Sequence, residues 1–158
     1  MKIIFMDVDG VITDGRVTID INGNETKSIC YRDLDAIGIG RHAGYDFAFV
    51  TGEDTDMVKF LAKRFFINIV YAGAKDKLKA MQNIAKEHDV PMSSLIYIGD
   101  GDRDVPALEK VGLGIVPSDA TSDAKNASDI ITEARGGYGV LFEVVNKLIK
   151  GELKHPGD

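Results

Sequence analysis

The sequence carries a single cysteine, Cys30, in 158 residues, so neither an internal disulfide nor a thiolate cage around zinc is open to it. Its three histidines, His42, His88 and His155, stand at no metal-ligand spacing and in no nucleophile-triad context. No apolar run approaches the ~20 residues that span a bilayer, and the opening Met1–Met6 meets Asp7 too early for a signal peptide. A cytoplasmic protein without membrane contact is expected. No Gly-x-x-x-x-Gly-Lys-Ser/Thr loop occurs, which disfavours nucleoside triphosphate chemistry. Basic residues are outnumbered, 19 Lys and Arg against 25 Asp and Glu, for a net charge of -6. That balance disfavours nucleic acid as a partner and requires local donors wherever a phosphate binds. With four scattered prolines, 44% hydrophobic and 28% charged residues, the composition is that of a globular domain. The length fits one domain, expected over residues 1–150, with the polar segment 151–158 as a mobile tail.

What is present is an alternation. Apolar runs of strand length occur at Ile3–Met6, Phe47–Val50, Ile69–Ala72, Leu95–Ile98 and Leu113–Val116, with a weaker one at Ile130–Thr132. Runs apolar on both faces suit a parallel sheet. Between them, Leu78, Met81, Ile84, Ala85 and His88 fall on one helical stripe, and Val140, Leu141, Val144, Val145, Leu148 and Ile149 on another. The order predicts an α/β fold: a doubly wound, Rossmann-like parallel sheet covered by helices. Residues 16–31 interrupt it, alternating at Val17, Ile19 and Ile21 before Asn22-Gly23-Asn24 and at Lys27, Ile29 and Tyr31 after it. This predicts a β-hairpin flap after the first strand.

Ligands of open parallel sheets bind beyond the carboxyl ends of the strands. Here those ends read Asp7-Val8-Asp9-Gly10, Thr51-Gly52-Glu53 and Gly99-Asp100-Gly101-Asp102-Arg103-Asp104, with Lys75 and Lys77 after the third run. An ionised Asp7 is a nucleophile without a helper base, and a second carboxylate crowded beside it can carry a proton as general acid and then base. Asp100 adds a hard oxygen ligand suited to Mg²⁺. Thr51 and a lysine supply a hydroxyl and a positive charge to phosphoryl oxygens. The set predicts phosphoryl transfer through an aspartyl phosphate.

Asp7-Val8-Asp9-Gly10-Val11-Ile12-Thr13-Asp14-Gly15, Thr51-Gly52, Lys77 and Gly99-Asp100-Gly101-Asp102-Arg103-Asp104 resemble, in order, the four motifs of the haloacid dehalogenase superfamily. The Thr13-Asp14-Gly15 extension, the hairpin, the lack of an inserted cap domain and Arg135-Gly136-Gly137-Tyr138-Gly139 are similar to its 3-deoxy-D-manno-octulosonate 8-phosphate phosphatases, and equally to the nonulosonate 9-phosphate phosphatases. The resemblance implies a Mg²⁺-dependent phosphomonoesterase acting on a small phosphorylated sugar acid. It implies Asp7 as nucleophile and Asp9 as general acid/base. Asp7, the Asp9 carbonyl and Asp100 would hold Mg²⁺, with Asp104 in an outer or water-mediated contact, and Thr51, Gly52 and Lys77 would hold the phosphate. Lys77 is preferred to Lys75 because it matches the lysine that opens the third-motif helix. It also implies a homotetramer formed through the hairpin, with Val17, Ile19, Ile21 and Ile29 shared between chains. Two positions depart from the pattern. Glu53 stands where the octulosonate branch usually has a basic residue and the nonulosonate branch a Glu, and Gly101 replaces an acid. Glu53 is therefore a candidate selector, and the sugar acid stays open.

Other readings fit less well. Asp100, Asp102 and Asp104 imitate a calcium loop, but Val105 and Val111 stand where its glycine and glutamate belong. Gly38-Ile39-Gly40-Arg41-His42-Ala43-Gly44 imitates a dinucleotide fingerprint at the wrong spacing, and close helix packing is the better reading. Arg32, Asp33 and Arg64 are candidate substrate contacts, with surface ion pairs as the alternative. A non-catalytic regulatory or phosphorylation-signalling domain could use the same sheet. A receiver places its phosphoacceptor after the third strand, where this chain has Ala72-Gly73-Ala74, and the intact Asp7 and Asp9 argue against a silent domain.

Overall fold

The β-branched and aromatic runs pair side by side because each has two faces to bury. The computed structural model describes residues 1–158. Its strands are β1 (Lys2–Met6), β2 (Thr18–Ile19), β3 (Glu25–Thr26), β4 (Tyr45–Val50), β5 (Ile69–Tyr71), β6 (Ile96–Ile98), β7 (Leu113–Val116) and β8 (Ile130–Ile131). The helices are α1 (Tyr31–His42), α2 (Asp56–Arg64), α3 (Lys77–Glu87), α4 (Val105–Leu108), α5 (Ser122–Ala127) and α6 (Val140–Ile149). Six strands form one parallel sheet in the order β5-β4-β1-β6-β7-β8. There is no cap domain. No helix is long and apolar enough to cross a membrane.

The two-residue period of a strand sorts the core into two layers. Ile4, Met6, Phe47, Phe49, Ile96 and Ile98 face α1, α2 and α6, whereas Ile3, Phe5, Ala48, Val50 and Tyr97 face α3, α4 and α5. In β1, Met6 lies beside Phe49 of β4 and Ile98 of β6. This register brings Asp7, Thr51 and Asp100 out at one edge of the sheet, where the crevice of a doubly wound fold opens. The false dinucleotide fingerprint is explained by packing: a Cβ at Gly40 would overlap the Phe47 ring.

Two expectations change. The hairpin exists, but only Thr18–Ile19 and Glu25–Thr26 pair, with an isolated bridge from Thr13 to Ile29, and it forms its own two-stranded sheet apart from β1. Tyr31 belongs to α1 instead. The turn is fixed by Asp20, which accepts from the amides of Asn22 (2.8 Å) and Asn24 (2.9 Å). The segment 151–158, expected to be mobile, lies docked. Leu153 packs on the core, His155 is buried at 5.7 Å from the Tyr45 ring, and Asp158 pairs with Lys2. The missing side chain of Gly112 leaves room for this segment, since a Cβ there would lie 2.6 Å from Pro156 Cβ.

Asp33, read as a substrate contact or surface ion pair, is neither. It is wholly buried and accepts the Phe142 amide at 3.0 Å, capping α6 from α1. The loop before α6 lies on the Asp7–Asp14 loop, where Gly137 donates to the Val11 carbonyl at 2.9 Å and a Cβ at Gly136 would overlap the Gly10 carbonyl. Burial pushes the Asp33 carboxyl up to about 6, against the amides that favour its charge. The folded state thus keeps this proton to higher pH than the unfolded chain, and the contribution of Asp33 to stability falls as pH rises from about 4 to about 6. Asp33→Asn, which cannot ionise, should gain on the wild type over that window by at most ~3 kcal/mol in urea unfolding. A stability difference independent of pH would refute the burial account.

Candidate active site

Asp7 follows β1 and is held on both carboxylate oxygens: Oδ1 accepts the Val8 amide at 2.7 Å and Oδ2 accepts from Lys77 Nζ. Lys77 opens α3, whose N-cap Asp76 accepts the Lys79 amide at 3.0 Å, and its chain runs inward so that Nζ also reaches Asp104 Oδ1 at 2.6 Å. Lys75, two residues earlier, is exposed and lines a different depression. Of the two lysines weighed in the sequence, Lys77 is the one that lines the cleft with Asp7. Burial alone would depress the Lys77 ammonium, but Asp7 and Asp104 outweigh it and hold its pKa above the ordinary value.

Asp104 is the hub of the fourth loop. Its Oδ1 accepts from Lys77 and from the Tyr97 hydroxyl, both at 2.6 Å, and its Oδ2 accepts the amides of Asp100 (2.8 Å) and Gly101 (3.0 Å). Burial would raise it, but Lys77 and these donors win and hold it below the usual carboxylate range. Asp7 and Asp100 go the other way. Burial pushes Asp7 to about 6 despite Lys77, and burial together with the charges of Asp7 and Asp104 pushes Asp100 to about 7. Asp100 receives no hydrogen bond on its carboxylate from the protein. Oxygens of Asp7, Asp100 and Asp104 lie within 4.8 Å of one another, a crowd of acids that fits a hard cation.

Asp9 lines the same cleft but stands outside that group. Its oxygens accept from Lys27 Nζ at 2.8 and 3.0 Å, and Oδ1 also accepts from the Thr13 hydroxyl at 3.2 Å. Lys27 comes from the hairpin, and its side chain is only 8% exposed. Thr51 is buried at the end of β4, and its hydroxyl accepts the Glu53 amide at 3.4 Å. Thr51, Gly52, Glu53, Lys77, Asp100 and Asp104 all line one cleft with Asp7 and Asp9, about 610 Å³ in volume and without an apolar lining residue. Arg32 and Arg64 do not line it; Arg64 sits 5.9 Å from the exposed Tyr31 ring. A larger groove, about 790 Å³, lies across α1 beside Phe66 and Phe142 and holds no cluster of acids.

Sequence reasoning missed two residues. In the sequence Lys27 is one position of an alternating run; a lone lysine on a hairpin face, 18 residues from its acid, gives no local signal. Tyr97 sits in an apolar strand run and is wholly buried, and its hydroxyl signals a polar partner because burying it unpaired is costly. Burial, with the charges of Asp104 and Asp7, raises its pKa.

Comparison with known proteins agrees with this geometry. The haloacid dehalogenase-like hydrolase family matches residues 60–143. Over 154 residues the chain is 30% identical to the 3-deoxy-D-manno-octulosonate 8-phosphate phosphatase of Haemophilus influenzae, covering 98% of this chain and 86% of the relative. The crystal structure of the Moraxella catarrhalis phosphatase of that name, in complex with magnesium ion, phosphate ion and a KDO molecule, superposes with a TM-score of 0.90 at 32% identity, over 95% of this chain and 86% of that one. A subfamily III A hydrolase of the haloacid dehalogenase superfamily from Legionella pneumophila superposes at 0.92 and 32% identity, over 96% and 84%. With the acids at the strand ends, the uninterrupted single sheet and these matches in agreement, the chain belongs to the haloacid dehalogenase-like hydrolase family.

Proposed function

We propose that this protein is a Mg²⁺-dependent phosphomonoesterase acting on a 3-deoxy-2-keto sugar acid phosphate through an aspartyl-phosphate intermediate. The observation that carries the reading is the pinned Asp7 carboxylate, set between Lys77 and the unpartnered Asp100 at the floor of an all-polar cleft. Support for the sugar acid comes from the relatives named for the octulosonate 8-phosphate. Glu53 at the rim keeps the nine-carbon acid as the second candidate.

Asp7, Asp100 and the Asp9 carbonyl would hold the ion, with Asp104 committed to its four donors and acting through them. When bound, Mg²⁺ neutralises the crowded acids and stabilises charge on the phosphoryl oxygens. In the first step an Asp7 oxygen forms a bond to phosphorus, and the bond from phosphorus to the sugar oxygen breaks. The leaving oxygen keeps the electron pair and takes a proton from Asp9. In the second step Asp9 accepts a proton from water as that water attacks phosphorus, and the bond to Asp7 breaks, releasing inorganic phosphate. Lys77 and the Thr51 hydroxyl stabilise the oxygens during transfer.

Steady-state phosphate release tests this. Chelation should abolish activity and Mg²⁺ should restore it. Asp7→Asn should lower kcat by orders of magnitude, while Asp9→Asn should still bind phosphate but turn over at least about 100-fold more slowly. Full turnover in metal-free buffer, or an active Asp7→Asn enzyme, would sink the assignment.

The buried charge network predicts a stability effect of its own. Asp104→Ala removes one of the two acids that balance Lys77 and leaves Tyr97 and two amides without their acceptor, and should lower the unfolding free energy by roughly 3 kcal/mol, whereas Lys75→Ala should change it by less than about 0.5 kcal/mol. Urea titration of both variants checks this, and equal effects would contradict it.

The same reading proposes that the hairpin is completed by other copies of the chain in a homotetramer. Val17, Ile19 and Ile21 are 42%, 60% and 101% exposed, apolar side chains along one arm and the turn of the hairpin that its own domain leaves in solvent. Ile29, in contrast, packs against the core of its own chain and is withdrawn from the shared set. Light scattering should find an oligomer for the wild type and a folded monomer for Ile19→Asp; a monomeric wild type would refute the assembly.

A further inference from the structure

The cleft leaves one cation uncommitted. Seven of its thirteen lining residues are acids and two are basic. Lys77 is consumed between Asp7 and Asp104. Arg103 is exposed, joins no ion pair and donates no hydrogen bond. Its two neighbours in the chain are held by hydrogen bonds. Asp104 on one side takes the amides of Asp100 and Gly101, and Asp102 on the other accepts the Thr121 hydroxyl at 2.6 Å. The short turn Asp102–Asp104 therefore presents a free guanidinium from a fixed base. That guanidinium stands beside the second-motif turn: a Cβ at Gly52 would lie 4.0 Å from Nη1.

A free arginine at the mouth of an acidic cleft needs an anion. The other exposed charges of the cleft, Glu53, Asp54 and Asp102, are acids that repel one, so a carboxylate entering with a phosphomonoester finds an opposite charge on the rim only at the Arg103 guanidinium. Guanidinium matches carboxylate through two parallel N–H donors, which selects that group over a hydroxyl. We propose that Arg103 is a specificity-determining residue of this site, pairing with a carboxylate that the substrate carries away from its phosphoryl group. The inference rests on the phosphatase reading and deepens it: the enzyme prefers phosphomonoesters of carboxylic acids to uncharged ones of the same length, and Glu53 is left to meet hydroxyls.

A matched pair of probes tests it, 6-phosphogluconate and sorbitol 6-phosphate, which differ in carrying a carboxylate or a hydroxymethyl group at the far end. With Mg²⁺ present, the wild type should show the higher kcat/KM on the acid. Arg103→Gln should lower the ratio of the two kcat/KM values by roughly 10- to 100-fold, the size of one charge-assisted pair, and Arg103→Lys should keep part of the preference. A ratio unchanged in Arg103→Gln overturns the proposal, whether both activities fall together or neither does. A wild type that releases no phosphate from these probes or from p-nitrophenyl phosphate overturns the phosphatase reading itself, a result distinct from an active enzyme whose preference ignores Arg103.

Discussion

The bridge from Lys77 to Asp7 and Asp104 is the interaction on which the edge of the sheet depends. Two acids brought out of water at neighbouring strand ends repel each other, and each carries a desolvation cost of several kcal/mol. Without a cation between them, one would hold a proton. Lys77 resolves this at some expense to its own helix, because a positive charge in the first turn of α3 opposes the helix dipole. A local preference overruled in this way is the mark of a site shaped by chemistry. Tyr97 and the amides of Asp100 and Gly101 saturate Asp104, so the fourth loop is folded around a charge and not around an apolar plug.

Asp100 shows the other side of the same constraint. It shares the crowd of acids but not the lysine, and burial with its neighbours' charge pushes it to about 7. The protein supplies three carboxylates with one cation, leaving a position where a divalent ion relieves the repulsion. The rim is built differently. Glu53, Asp54 and Arg103 are exposed, with no buried network behind their charged groups, so they can change without disturbing the floor.

Much of this was legible in the sequence wherever a periodic pattern ran long enough. Five two-sided apolar runs became strands within a residue or two, and the stripes around Met81 and Val144 became α3 and α6. The short α4 and α5 carry too little periodicity to be read, and α2 buries Val58, Leu61 and Ala62 while leaving Phe60 in solvent, which blurs its face. The hairpin was overread for a physical reason. Its alternation belongs to a face that nothing in the single chain covers, so the ladder stops after two pairs of residues. The acids and lysine of the site announced themselves by their place after apolar runs. Lys27, Tyr97 and the capping role of Asp33 depend on contacts that form only when distant segments meet.

Charge counting connects the scaffold to its chemistry. A phosphoryl dianion entering a cleft of seven acids and two bases meets repulsion at every wall but those near Lys77 and Arg103. Lys77 is already balanced by Asp7 and Asp104, so it cannot by itself admit two further negative charges. A divalent ion held by Asp7 and Asp100 would offset the charge at the floor, where the surrounding groups are buried and poorly screened. A second anionic group on the same substrate would lie beyond that shielding and face only the rim. In a chain with a net charge of -6, affinity for such a substrate has to come from individual donors, which makes the free guanidinium more consequential than its exposure alone suggests.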